Sequence, residues 1–186
     1  MIKKVAIVAC IAIFSQGVVT AQSSKEKTVM VGGAAMYPSK NIIQNAVNSK
    51  DHTTLVAAVK AAGLVATLES AGPFTVFAPV NAAFDKLPKG TVETLLKAEN
   101  KAMLAGILTY HVVSGKFGST EIAALIKAGK GKAEIKTVAG GILIASMKGK
   151  NLILTDEKGG TSMVTIKDVN QSNGVIHVID TVLMPK

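Results

Sequence analysis

Residues Thr75 to Pro88 read TVFAPVNAAFDKLP, and Asn173 to Pro185 read NGVIHVIDTVLMP. In the first stretch, Phe74 to Ala78 is a short run of aromatic and β-branched residues bounded by Pro73 and Pro79. Proline neither donates to a ladder nor continues a helix, so this run reads as a buried strand. Asn81 is the expected cap of a helical turn that holds Ala83, Phe84 and Leu87 and stops at Pro88. In the second stretch a strand runs from Val175 to Leu183. One face carries Val175, Ile179 and Leu183, and the other Ile176, Val178, Val182 and Met184, so both faces are apolar and the strand is expected to be central. His177 and Asp180 are polar groups set into it. Buried polar atoms need partners, so structural hydrogen bonding is the expected role of both.

Working toward the N-terminus, helical spacing recurs. Ser39 is placed to cap a short helix burying Ile42, Ile43, Ala46 and Val47. A longer helix starts near Asp51 to Thr54, puts Leu55, Val56, Val59 and Ala62 on one face, and ends at Gly63. Leu64, Val65 and Leu68 continue in a short helix closed by Gly72-Pro73. Thr91 to Lys97, Lys101 to Thr109 and Ser119 to Ala128 give three more amphipathic helices. The second aligns Leu104, Ile107 and Leu108, and one further turn brings in His111. Beyond Ala128 the period changes to that of strands: Ala133 to Val138, Ile142 to Met147, Leu152 to Thr155 and Met163 to Asp168. Gly140-Gly141, Gly149-Lys150-Asn151, Gly159-Gly160 and Asn173-Gly174 separate them, which predicts an antiparallel meander. Helices first and strands afterwards is the order of an α+β domain.

The N-terminus reads as a bacterial-type leader. Lys3 and Lys4 precede an apolar run from Val5 to Phe14, and Val19-Thr20-Ala21 fits a signal peptidase site. The run is shorter than the roughly 20 residues a membrane span needs. Removing 21 of the 186 residues leaves 165, enough for one ordinary domain with its own core, and takes away Cys10, the single cysteine. Disulfides, thiol nucleophiles and cysteine metal sites are then excluded together. Gln22 to Lys27 is polar, and Gly32-Gly33 and Tyr37-Pro38 place residues 31–38 in a loop. The expected division is therefore a signal peptide over 1–21, a flexible segment over 22–38 and one domain over 39–186. The formal charge is +9, and loss of Lys3 and Lys4 lowers it to +7. All 21 basic residues are lysine. Arginine is the residue suited to bidentate phosphate grips, so its absence argues against specific nucleic-acid recognition. A diffuse, salt-sensitive attraction to anionic polymer remains open.

Catalytic signatures are missing: there is no Gly-x-Ser-x-Gly, phosphate loop, Gly-x-Gly-x-x-Gly or His-Glu-x-x-His. His52, His111 and His177 are far apart and lack helical metal spacing, so neither a metal nor another cofactor is expected. His52, beside Asp51 at a helix start, reads as exposed. Ser114, His111 and Asp180 or Asp168 have the residue types of a triad. No strained strand-to-helix turn presents the serine, however, and no oxyanion loop is recognisable.

Thr75 to Phe84 closely resembles the first motif of the fasciclin domain family, Thr-Val-Phe-Ala-Pro-x-Asn-x-Ala-Phe. Asn173 to Pro185 is similar to its second motif, and Tyr110-His111 to the Tyr-His motif between them. The resemblance runs from about Ile42 to Pro185. Val80 stands where threonine is common in the family, which leaves Asn81 as the expected cap. The resemblance implies a wedge or sandwich of β-strands with a helical layer, here built from the N-terminal half. It makes Thr75, Phe77, Pro79, Asn81, Phe84, His177 and Asp180 structural motif residues. It further implies a non-enzymatic role in adhesion or matrix binding, with Tyr110, His111, Asp168 and Val169 as the candidate contact surface, while the apolar sequence contexts of His111 and Asp180 make holding the fold the expected main role of both. The expected partner is an extracellular or cell-surface protein or polysaccharide, engaged by a secreted or periplasmic monomer or weak oligomer. A periplasmic small-ligand or envelope-stress protein is the alternative, and a hydrolase the third reading. Mass analysis of the exported protein is expected to find its N-terminus at Gln22, whereas a lipid-modified Cys10 would contradict the leader reading.

Overall fold

A computed structural model describes residues 26–186 of the protein. The expected leader, the cleavage point after Ala21 and Cys10 lie outside the described residues. The elements, in chain order, are β1 (Val29–Val31), β2 (Ala34–Met36), α1 (Ile42–Ala46), α2 (Thr53–Ala62), α3 (Val65–Glu69), β3 (Phe74–Pro79), α4 (Asn81–Asp85), α5 (Thr91–Leu95), α6 (Lys101–Tyr110), β4 (Val112–Ser114), α7 (Ser119–Ala128), β5 (Lys132–Lys136), β6 (Ile142–Lys148), β7 (Asn151–Thr155), β8 (Thr161–Gln171) and β9 (Gly174–Ile179). This is the expected α+β wedge. Strands β5 to β9 form an antiparallel meander, and the larger sheet has the order β4-β3-β9-β8-β7-β6-β5.

The sheet joins two strands about a hundred residues apart. β3 and β9 pair in parallel, from Phe74 opposite Gly174 to Pro79 opposite Ile179. A parallel pair needs a long crossover, and the intervening helices and meander supply it. Every residue of β9 is buried, as its two apolar faces require. The expected strand to Leu183 stops at Ile179, beyond which Val182 and Leu183 remain buried without strand pairing. Contact between the paired strands is close. A Cβ on Gly174 would stand 2.0 Å from the Phe74 carbonyl oxygen, so no side chain fits there.

Alternation along β3 divides the interior. Val76 and Ala78 face a core with Leu55, Val59, Leu104 and Leu108 from α2 and α6. Phe77 faces the opposite core, with Ile122 and Ile126 of α7 and Leu143 and Leu154 of the meander. The helical layer is thus built from α1 to α6 on one face, while α7 closes the other; the N-terminal half does not supply every packed helix. Burial of α2 at Leu55, Ala58, Val59 and Ala62 follows the helical period.

Several local readings need correction. The segment over 31–38, expected as a loop, is instead mostly strand and turn. β1 and β2 form an antiparallel hairpin whose two-residue turn is Gly32 and Gly33, at φ 56° and 76°. Both signs are those of a type I′ turn, which glycine adopts without penalty. Val31 and Met36 are buried beneath it. α1 is capped by Asn41 rather than Ser39, through a reciprocal box with Gln44.

Asn173 ties the layers together. Its Oδ1 accepts from Ile42 N at 3.0 Å, and its Nδ2 donates to the carbonyls of Leu68 and Ser70 at 2.8 and 2.9 Å. One side chain therefore fixes α1 and α3 against the start of β9. Asn173→Ala leaves buried backbone groups unpaired and is expected to cost roughly 2–4 kcal/mol in urea unfolding. Exposed Asn170→Ala is expected to change stability by less than about 0.5 kcal/mol.

Candidate functional site

The tripeptide Tyr110-His111-Val112 lies where α6 ends and β4 begins. Helical spacing turns His111 back over α6, so its Nδ1 donates to the Ile107 carbonyl at 2.8 Å. Its Nε2 accepts from Leu183 N at 3.0 Å. One nitrogen gives and the other takes, which defines a neutral ring with its proton on Nδ1. The His111 carbonyl accepts from Phe77 N at 2.9 Å. Beside it, the Tyr110 hydroxyl donates to the Ile142 carbonyl at 2.8 Å and accepts from Glu157 N at 3.2 Å. Asp156 completes the seam by accepting from Met184 N at 2.9 Å. Tyr110 is 0% and His111 3% exposed. The pair braces α6, β3, β6 and the C-terminal segment from inside.

His177 does the same work in β9. Its ring stacks on Phe77 with centroids 5.7 Å apart, and its Nε2 donates to the Phe117 carbonyl at 2.8 Å. Its Nδ1 receives Asp168 N at 3.4 Å. That N–H is free because β8 bulges: its register against β9 shifts between Val164 and Val169, and Asp168 adopts φ 60°. Such bulges re-aim side chains. Here the Asp168 carboxylate turns to the start of α7, accepting Ser119 N at 2.6 Å and the Ser119 hydroxyl. A carboxylate at that end also meets the positive end of the helix dipole. Burial opposes its ionisation, but the Ser119 bonds, His177 and Lys167 outweigh this and hold its carboxyl below the usual range.

The remaining motif residues are local fasteners. Thr75 is buried; its Oγ1 donates to the Gly115 carbonyl at 2.7 Å and accepts from Phe117 N at 2.8 Å. Pro79 ends β3 and is buried, while Phe84 packs half-buried against the helical core. Asn81 does not cap its own helix. Val80 occupies that cap position without a side-chain bond, and Asn81 reaches across to accept Thr54 N at 3.0 Å and donate to Lys50 O and Thr53 Oγ1. It caps α2, a helix 27 residues earlier. Asp180 is half-buried just past β9 and accepts from Met163 N at 2.9 Å and Ser162 Oγ at 3.2 Å. Its contact with Lys86, 3.8 Å, lies at the surface and adds little.

The candidate contact surface is therefore not a surface. Tyr110, His111 and Val169 are core residues, and half-buried Asp168 is committed to Ser119. Apolar neighbours on both sides of Tyr110-His111 in the sequence were the available sign. The triad is not assembled either, since both His111 nitrogens are bonded to backbone atoms and Asp168 holds Ser119. Among the described residues no cluster of three or more His, Cys, Asp or Glu is placed to hold a metal ion. His52, expected to be exposed, is 2% exposed and within hydrogen-bond reach of Ser49 Oγ through Nδ1, 2.9 Å away. Its spacing of three residues from Ser49 was the only sequence sign of that contact.

The fasciclin domain family matches residues 50–185. The chain belongs to the fasciclin family. The match begins a little after the expected Ile42 and ends at the same proline. Among relatives of this fasciclin domain, the Synechocystis protein sll1483 is 46% identical over 160 residues, covering 86% of this chain and 82% of that protein. Immunogenic protein MPB70 of Mycobacterium bovis is 36% identical over 145 residues, 75% of this chain and 66% of its own length. A solved domain pair from the insect cell adhesion molecule Fasciclin I aligns at TM-score 0.48 and 21% identity, over 76% of this chain and 43% of that one.

Burial pushes the His111 ring down to about 4, against the opposing pull of the Ile107 carbonyl and Asp156. His52 and His177 are lowered by burial as well. Between the folded value and the unfolded value near 6.5 the unfolded chain binds more protons, so stability rises with pH there. His111's contribution is complete above pH 6.5 and is lost as pH falls toward 4. It amounts to about 3 kcal/mol. Urea unfolding of the wild type across that window is expected to show the climb. His111→Ala is expected to be roughly 2–4 kcal/mol less stable at neutral pH and to climb less.

Proposed function

We propose that this fasciclin domain is a secreted, non-enzymatic binding module that recognises an extracellular or cell-surface protein or polysaccharide. The observation that carries the reading is the commitment of the motif chemistry to the fold. Both nitrogens of His111 and of His177, the Tyr110 hydroxyl and the Asp168 carboxylate are engaged by the chain itself. A module whose polar motif groups are spent internally has shape and apolar surface left for recognition. Membership of a family whose resemblance implies adhesion supports the same conclusion. Among the described residues no helix is long and apolar enough to cross a membrane.

Recognition then rests on the outer faces of the elements that the brace positions, rather than on the brace. Lysine supplies every positive charge, and its compact ammonium attracts anionic polymer without bidentate geometry. That component is screened once the Debye length falls below about 8 Å. A single module links two surfaces only by self-association or by two binding faces, because avidity needs two engaged sites. The test is an array of glycans and matrix proteins probed at low and high salt. Retention of one defined ligand at high salt is the expected outcome, and loss of all binding would reduce the interaction to lysine electrostatics.

A further inference from the structure

Positive charge is not spread evenly along this chain. Residues 122–155 carry six lysines and a single acid, Glu134. Five of those lysines gather at one end of the meander: Lys127, Lys130 and Lys132 where α7 turns into β5, Lys148 and Lys150 where β6 turns into β7. The antiparallel register sets Lys132 opposite Ser146 and Lys148 opposite Asn151, so both turns lie at the same end. All five lysines are exposed, and among the described residues none of them forms an ion pair. Asp156 and Glu157 follow β7 at its other end. Like charges held this close repel one another, and an anionic partner relieves that repulsion.

Lys130 adds an independent sign. α7 closes in a Schellman motif, in which Gly131 N donates to the Ile126 carbonyl at 2.8 Å and Lys130 N to the Lys127 carbonyl at 3.2 Å. The motif needs a left-handed residue at position 130, and Lys130 stands there at φ 55°. Glycine takes this conformation freely, whereas a Cβ strains it. Glycine occupies both neighbouring positions, 129 and 131, yet the strained place itself carries lysine. Strain kept without an internal ion pair in return points to a use of the charge.

Two adjoining turns make a tip rather than a groove. Lysine ammonium groups are point charges that need no bidentate geometry, which suits a fluid array of lipid phosphates. Met147 precedes Lys148 and is 42% exposed, so an apolar side chain accompanies the charges, as at interfacial surfaces. No Phe, Tyr or Trp follows Phe117, so the tip lacks flat ring faces for sugar rings to pack on.

We propose that this tip docks on an anionic phospholipid surface, with Lys127, Lys130, Lys132, Lys148 and Lys150 against the phosphates and Met147 at the acyl boundary. It gives the module a second binding face, distinct from the recognition of protein or polysaccharide proposed above. Vesicle binding is read without that other ligand, so either reading can fail alone.

The test is co-sedimentation of the wild-type protein with vesicles of phosphatidylcholine alone or with about one-third phosphatidylglycerol. Binding is expected only to the anionic vesicles and weakens with added salt. A lysine at such a surface is worth about fivefold in partitioning, so combining Lys130→Gln, Lys148→Gln and Lys150→Gln is expected to lower it roughly a hundredfold. Combining Lys60→Gln, Lys89→Gln and Lys97→Gln, exposed positions among the helices, removes the same net charge and is expected to lower it less than about tenfold. Lys130→Gly is expected to weaken partitioning about fivefold while unfolding at no lower urea concentration than the wild type. Absence of any preference for anionic vesicles would overturn the proposal, as would equal losses in the two triple variants, which mark net charge alone. A Lys130→Gly variant that is destabilised yet binds undiminished would assign this lysine to the helix end and count against the tip. Tighter binding to polygalacturonate than to the vesicles, lost in the first triple variant, would make the partner a polysaccharide and overturn the proposal as well.

Discussion

The parallel pairing of β3 with β9 is the constraint on which the rest of this fasciclin domain depends. Two strands about a hundred residues apart lie side by side inside the sheet, flanked by β4 and β8, and neither has a polar face to spare. Such a pair cannot be held by a turn. It forms only when helices cover one face and the folded meander with α7 covers the other, so both cores must assemble together. Polar side chains inside it are tolerable only where each atom has a partner.

That requirement explains the motif histidines. His177 sits at the middle of β9 and bridges the Phe117 carbonyl to the Asp168 amide released by the bulge in β8. His111 bridges the last turn of α6 to Leu183, beyond the end of β9. Each neutral ring acts as a two-ended connector between backbone groups that no regular ladder reaches. The cost is sensitivity to acid, because protonating either ring removes its acceptor and buries a charge. Asp168 links one connector to α7, so the bulge, the helix cap and the histidine act as a unit.

Much of the architecture was legible in the sequence because it was written in local periods. The α2, α6 and α7 helices, the meander and the burial of β3 and β9 all followed from apolar spacing and turn residues. What escaped was non-local. Asn81 looked like the cap of its own helix but caps α2, because the partner of a short polar side chain is set by packing and not by chain neighbours. His52 looked exposed beside Asp51, and only the fold lays it against the helical core. The β1–β2 hairpin was missed because three-residue strands carry too little alternation to be distinguished from a loop. Family resemblance offered Tyr110 and His111 as a contact surface, whereas the apolar neighbours of His111 already spoke for a role in holding the fold, and its burial and paired nitrogens agree with the latter.

The central claim is that the Tyr110-His111 segment is an internal brace, and the most direct measurement is NMR titration of the His111 imidazole together with hydrogen exchange at the Leu183 amide. A ring that stays neutral with its proton on Nδ1 down to about pH 5, consistent with a value near 4, and a Leu183 amide as protected as those of β9 are predicted. A ring that titrates freely near 6.5, with fast exchange at Leu183, would contradict the account and return His111 to the surface.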